Sequence, residues 1–183
     1  MVLTLASLSC WDHLRASGQP KDDWTRFDHR TFTVSRVVDG DTIHIHTDEP
    51  NDTIIRLLGI DAPEMHDPTT DRPAHWAERS TNYLRARING KSVSLRLEPI
   101  ETRDRYDRLL AYIYVGDADN INMDLVRDGQ AYSDRRFKHS FRPQFEQAEN
   151  EARTKKRGLW QDVTVDMMPP WRRVWLHEIS RDR

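Results

Sequence analysis

Thr53-Ile54-Ile55-Arg56-Leu57-Leu58-Gly59-Ile60-Asp61-Ala62-Pro63-Glu64 sets one arginine inside a nearly continuous Ile/Leu run and closes that run with two carboxylates. The β-branched content from Thr53 to Ile60 reads as a strand, and Asp61-Ala62-Pro63-Glu64 as the turn that ends it. Charges in such places are costly against a core unless they are paired or hold a metal. The stretch therefore calls for a cation, an anionic ligand, or both.

The segments on either side fit the same sheet. Thr31 to Val38 is rich in β-branched residues, and Asp39-Gly40 is a tight turn. Thr42 to Thr47 alternates, with Ile43 and Ile45 on one face and His44 and His46 on the other, which puts Asp41 at the open end of the apolar face. After a polar loop from His66 to Pro73, Trp76, Ser80, Leu84 and Ile88 recur at helical spacing, and Asn89-Gly90 stops the helix. Ser92 to Leu97 and Leu109 to Val115 are two more strands, joined by the charged stretch Glu101 to Arg108. Two helices follow, Asn122 to Asp128 closed by Gly129 and Phe141 to Arg157 closed by Gly158, and Trp160 is expected to pack back on the body. The order β-β-β-α-β-β-α-α predicts an α+β fold, a five-stranded Greek-key barrel of OB-fold type with three helices. The body is expected over 31–160. An N-terminal extension covers 1–30, polar and linker-like from Trp11 to Arg30, and a C-terminal extension covers 161–183, carrying Trp171 and Trp175.

Composition narrows the functional classes. With 28 Lys+Arg against 30 Asp+Glu, the formal charge is -2, so a polyanionic ligand must be recognised locally rather than by a basic coat. Cys10 is the single cysteine, which excludes an intrachain disulfide and a cysteine-rich zinc site. The eight histidines form no zinc-protease pattern, and His44 and His46 read as solvated polar residues on a strand. No segment is long and apolar enough to span a bilayer. Met1 to Cys10 resembles the apolar part of a secretory signal or anchor without the basic region before it; this tilts the expectation toward a secreted or membrane-anchored protein over a cytoplasmic one.

Asp41 and Asp61 end separate strands that could meet at one barrel edge. Hard carboxylate oxygens without His or Cys favour Ca²⁺ or Mg²⁺, and a backbone carbonyl at Asp61-Ala62 would suit the larger shell of calcium. Arg56 and Arg108 could clamp a phosphate, leaving Glu64 to activate water, a set that fits phosphodiester hydrolysis. Taken singly the residues have blander readings. Asp39-Gly40 is a turn, Arg56 pairs structurally with Asp41 or Asp61, and Glu101, Asp104 and Asp107 form a solvated charge mesh.

Val37-Val38-Asp39-Gly40-Asp41-Thr42, Arg56-Leu57-Leu58-Gly59-Ile60-Asp61-Ala62-Pro63-Glu64 and Asp104-Arg105-Tyr106-Asp107-Arg108-Leu109-Leu110-Ala111-Tyr112 together resemble the three main blocks of the staphylococcal nuclease family. Leu125-Val126-Arg127-Asp128-Gly129 and Gly158-Leu159-Trp160 resemble two less specific ones. The resemblance implies a calcium-dependent endonuclease that cuts DNA and RNA and leaves 3′-phosphate ends. No stable protein partner is expected, and the chain is expected to be a monomer. By matching position the resemblance implies Asp41, Asp61 and the Ala62 carbonyl as calcium ligands with Asp39 in support. It implies Arg56 and Arg108 as the phosphate clamp, Glu64 as the residue that handles water, and Tyr106, with Arg105 beside it, at the nucleotide. The chain departs from the family pattern in several places. Ala62 stands for a threonine and Asp107 for a glycine, and Arg135 and Phe137 fall near two nucleotide-framing tyrosines, where Phe137 would stack and Arg135 would contact phosphate. A non-catalytic binding module on the same barrel is the alternative; it would be expected to lose Arg56, Glu64 or the aspartates, and all are present.

Overall fold

The computed structural model describes residues 20–66, 72–99, 101–116 and 118–181. The reading of Met1 to Cys10, and the middle of the His66–Pro73 loop, lie outside the described residues. Helix α1 (Pro20–Phe27) precedes strands β1 (Thr31–Val37), β2 (Thr42–Ile45), β3 (Thr53–Leu57) and β4 (Ile60–Asp61). Helix α2 (Ala77–Ile88) follows, then β5 (Ser92–Arg96), β6 (Leu109–Val115) and β7 (Asp119–Asn120). Helix α3 (Ile121–Arg127), strand β8 (Tyr132–Ser133), helix α4 (Arg142–Thr154) and helix α5 (Pro170–Arg181) complete the order.

Five strands close on themselves. β1 lies antiparallel between β2 and β5, β2 pairs antiparallel with β3, and β5 with β6. The barrel is sealed by a parallel pairing of β3 with β6, Ile55 opposite Leu109 and Leu57 opposite Ala111. Alternation does the rest: Val34, Ile43, Ile45, Ile55, Leu95 and Ile113 point inward and are fully buried. Leu84 and Ile88 of α2, with Leu125 and Val126 of α3 and Phe145 of α4, join this same core. The expected α+β barrel is the observed one.

The third strand is shorter than its apolar run suggests. It stops at Leu57, and Ile60–Asp61 leaves the barrel to pair with Tyr132–Ser133. The break is made by Gly59, with φ of 78°. The buried Asn122 reinforces it, its amide donating to the Leu58 carbonyl at 2.9 Å. Apolar periodicity cannot register either cause. The turn is what lifts Asp61 out of the sheet that holds Arg56.

Two helices appear where extensions were expected. α1 forms inside the polar stretch before Arg30. Its Phe27 enters the core, and its Asp23 is fully buried, held by Arg103 through two 2.9 Å bonds and by the Thr102 hydroxyl at 2.8 Å. α5 docks through Arg172, which is fully buried and bidentate to the equally buried Glu149 of α4 at 2.9 and 2.8 Å. Each is a charge pair closed by residues distant in sequence, so neither helix advertises itself as an apolar stripe.

A methyl at Gly59 would stand 2.5 Å from Cε1 of His139, on a backbone already left-handed. Gly59→Ala is expected to cost about 2–4 kcal/mol, the left-handed penalty plus a clash against a packed ring. A urea-unfolding midpoint unchanged from the wild type would contradict this account of the turn.

Candidate active site

Asp41 is placed by the register of β2 on β3. Thr42 faces Arg56, and the Asp41 carbonyl accepts the Leu57 N–H at 2.8 Å. Asp39 accepts the Asp41 N–H at 3.0 Å through its own side chain, so it braces the backbone of its neighbour. Gly40 lets this turn come close: a Cβ there would sit 2.6 Å from that of Ala62. The Asp41 carboxylate then accepts the Ala62 N–H at 2.6 Å and meets the Arg56 guanidinium at 2.9 Å.

Arg56 reaches with its other terminal nitrogen to Asp61 at 3.2 Å, so one guanidinium spans both carboxylates. Asp41 and Asp61 are both buried. Burial pushes the Asp41 carboxyl well up; Arg56 opposes this, and the negative charges of Asp39 and Asp61 add to it. Glu64 is tied by its carbonyl to the Ala74 N–H at 2.9 Å, and its carboxylate keeps one side open to solvent. Desolvation by the protein on its other sides raises its pKa, Asp39 and Asp61 raise it further, and Arg56 and Arg108 pull it back.

Arg108 is held by an aspartate that sequence reasoning had assigned to a solvated mesh. One oxygen of Asp104 accepts the backbone N–H groups of Tyr106 and Arg108 at 2.9 and 3.1 Å. The other oxygen accepts the Arg108 guanidinium at 2.8 and 2.7 Å. The guanidinium also lies 5.5 Å from the centre of the Tyr106 ring, which is 64% exposed. Asp107 sits at the tip of this turn with φ of 63°, the left-handed region where glycine is favoured, and its carbonyl accepts from Arg103 at 2.9 Å. Its carboxylate lies 3.6 Å from the Arg103 guanidinium, so its charge is paired with Arg103.

A family model for staphylococcal nuclease homologues matches residues 54–162. The chain is 37% identical over 144 residues to an uncharacterized endonuclease of Escherichia coli O157:H7, covering 79% of this chain and 83% of the relative. It is 30% identical over 154 residues to the thermonuclease of Staphylococcus intermedius, covering 82% of this chain and 88% of the relative. The chain belongs to the staphylococcal nuclease homologue family.

Against that family's pattern, the nuclease-like site is assembled from more pieces than its motifs contain. Arg135 turns away from the acidic pair. It lies 3.5 Å from Glu146 and 3.6 Å from Glu149, with its guanidinium 4.3 Å from the Trp175 ring centre. Arg136 takes the place facing the site. Asp134 cradles it at 2.8 and 2.9 Å, and its guanidinium reaches Asp61 at 2.8 Å. Phe137, 58% exposed, stands 5.7 Å from the same guanidinium. Residues 134–137 lie beyond β8 in irregular backbone, and the local signal for Arg136 is the Asp134-x-Arg136 spacing, in which the aspartate accepts the N–H two residues on at 2.9 Å. Likewise the spacing of Asp104, Tyr106 and Arg108 is that of an aspartate folding its own turn. His46 pairs with Asp52 at 2.8 Å, in keeping with a solvated polar residue.

Among the described residues, no group of three or more His, Cys, Asp or Glu side chains is placed to hold a metal. The acidic set is a pair, Asp41 and Asp61, with Arg56 against both and Arg136 against Asp61. Asp39 lies close enough to raise the Asp41 carboxyl and Asp134 pairs with Arg136, so four carboxylates face two guanidiniums. Two buried hard carboxylates with an excess of negative charge fit a divalent cation that takes its remaining ligands from backbone carbonyl and water.

His139 supports the turn between Arg56 and Asp61. Tyr112 gives its hydroxyl proton to Glu98 at 2.9 Å, so His139 Nδ1–H donates to the Tyr112 oxygen at 2.9 Å. Nε2 is left bare and buried against Gly59. Burial lowers the His139 pKa, and Glu98 and Asp134 oppose the shift. The unfolded chain therefore takes up this proton near the usual histidine value while the folded chain does not. The stability involved is complete above that value and is lost as pH falls toward and through the lowered folded pKa. His139→Asn, which keeps a donor to Tyr112 but does not titrate, should lose less melting temperature between neutral and mildly acid pH than the wild type. Parallel profiles for the two proteins would refute this.

Proposed function

We propose that this protein is a calcium-dependent endonuclease that hydrolyses phosphodiester bonds of DNA and RNA, leaving 3′-phosphate ends. The observation that carries the reading is the convergence of Asp41 and Asp61 on one arginine, with Glu64 in the field of both that arginine and Arg108. The names endonuclease and thermonuclease borne by the relatives support it. In this reading Asp41, Asp61 and the Ala62 carbonyl hold the cation, and Asp39 keeps Asp41 in place. The cation, when bound, neutralises charge on a phosphate oxygen and draws the phosphodiester to the acidic pair.

The protein's own groups do the remaining work. Glu64, solvent-open on one side, takes a proton from water as the water oxygen bonds to phosphorus. Its raised pKa suits this role, because a stronger base accepts the proton more readily. Charge then accumulates on the equatorial phosphate oxygens, where the planar donors of Arg56 and Arg108 meet it bidentately. The bond to the 5′ oxygen breaks and that oxygen takes a proton from solvent water, so the phosphate stays on the 3′ side. Tyr106 and Phe137, both exposed beside arginines, offer faces on which bases stack, and Arg105 lies 4.7 Å from the Tyr106 ring centre. Arg136 supplies the positive charge once expected of Arg135.

Plasmid, single-stranded DNA and RNA incubated in calcium and in chelator test the reading directly, with end-group analysis of the products. Calcium-dependent cleavage with 3′-phosphate ends is expected, and no cleavage of any substrate would sink it. Glu64→Gln should lower turnover by ~10²–10⁴, the usual contribution of a general base; wild-type turnover would remove Glu64 from that role. Arg108→Lys should cleave poorly with its melting temperature kept, since lysine cannot supply the planar fork. Full activity in that variant would argue against a bidentate clamp.

A further inference from the structure

Asp61 is touched from a helix that lies beyond the last family motif. The Trp171 indole Nε1–H, on α5, donates to Oδ2 of Asp61 at 2.9 Å. The opposite oxygen, Oδ1, takes Arg56 at 3.2 Å and Arg136 at 2.8 Å. Both oxygens are thus engaged, and the carboxylate cannot rotate without breaking one set of bonds. The Arg136 guanidinium lies 5.0 Å from the Trp171 ring centre, so the two donors are also stacked on each other.

The helix bringing Trp171 is not held by that contact. Arg172, the next residue, is fully buried and bidentate to Glu149, and its guanidinium lies 4.9 Å from the Tyr132 ring centre and 5.1 Å from that of Trp160. Glu149 also accepts the Ser133 N–H at 3.0 Å, and Ser133 pairs with Ile60 in the two-stranded ribbon that carries Asp61. One buried charge pair therefore sets the spacing between α5 and the strand of Asp61, and Trp171 spans it.

We propose that α5 is part of the active centre and that Trp171 is a positioning residue. Its indole hydrogen bond fixes the orientation of the Asp61 carboxylate and so raises the affinity of the acidic pair for a divalent cation. The inference rests on the reading of Asp41 and Asp61 as cation ligands. Groups that orient a ligating carboxylate typically contribute about 10–100-fold in metal affinity. The tryptophan does not touch the reacting atoms, and its effect is on binding of the metal.

Calorimetric titration of the full chain with Ca²⁺ alone, without nucleic acid, tests this apart from activity. Trp171→Phe keeps the ring on Arg136 and removes the donor; it is expected to weaken Ca²⁺ binding by about tenfold or more. Trp175→Phe, on the same helix but stacked on Arg135, is expected to leave the affinity unchanged. Unchanged or tighter Ca²⁺ binding in Trp171→Phe would overturn the inference while leaving the cation site standing. Absence of Ca²⁺ binding in the wild type would overturn both. A measurement on the wild type alone covers the case of a variant that does not fold. The Trp171 indole N–H resonance should shift on saturation with Ca²⁺ while that of Trp175 stays in place, and an unmoved Trp171 resonance would refute the role.

Discussion

One guanidinium shared by two buried carboxylates is the constraint around which this site is built. Arg56 lies on a barrel strand, opposite Thr42 on one side and Leu110 on the other, and from there it reaches Asp41 and Asp61. Such an arrangement adds little net stability, because the desolvation of three charges offsets most of their attraction. The barrel core must carry it. That explains why the charges sit where β3 closes against β6, beside Ile55, Leu57, Leu109 and Ala111, all buried. A rigid wall of this kind holds Arg56 and, through the pairing of β2 with β3, Asp41; the turn at Gly59 then brings Asp61 to the same guanidinium.

Repulsion between the carboxylates has its own consequence. Asp41 is pushed toward its protonated form by burial, with Asp39 and Asp61 adding to the effect. A site tuned for its own stability would replace one of these acids. Retaining them stores an unfavourable interaction that a positively charged ligand relieves, a common trade of stability for binding. The proposed cation is the group that fits this imbalance, and the proposed phosphate clamp uses the same arginine that otherwise balances the acids.

The strands were legible in the sequence because burial on a barrel leaves a period of two, as at Ile43 and Ile45. The acids and arginines were legible because charge at the mouth of such runs has few structural uses. Most of what escaped depends on pairing at long range. Asp23 with Arg103, and Glu149 with Arg172, are fully or largely buried ion pairs between residues that look like surface charge in one dimension. Asp104 escaped for a different reason: its bonds are local, to Tyr106 and Arg108, but among neighbouring arginines it reads as one acid of a mesh until its two oxygens are seen to fold the turn and hold Arg108. Arg135 was singled out and Arg136 overlooked because alignment by position does not say which neighbour faces inward.

The two helices that sequence periodicity missed act on opposite ends of the same site. α1 sends Asp23 to Arg103, and Arg103 donates in turn to the carbonyl of Asp107, steadying the turn that presents Arg108. α5 sends Trp171 to Asp61. The barrel itself fixes only the middle of the site, Asp41 and Arg56, through the pairing of β2 with β3. Asp61 and Arg108 lie just outside regular barrel strands, and without outside support each would be free to drift. Segments flanking a barrel of this kind are easily dismissed as tails. Here each ends in a buried charge pair, and each pair leads by a short path to one of the two residues the barrel cannot hold, which is the reason to treat them as parts of the working site.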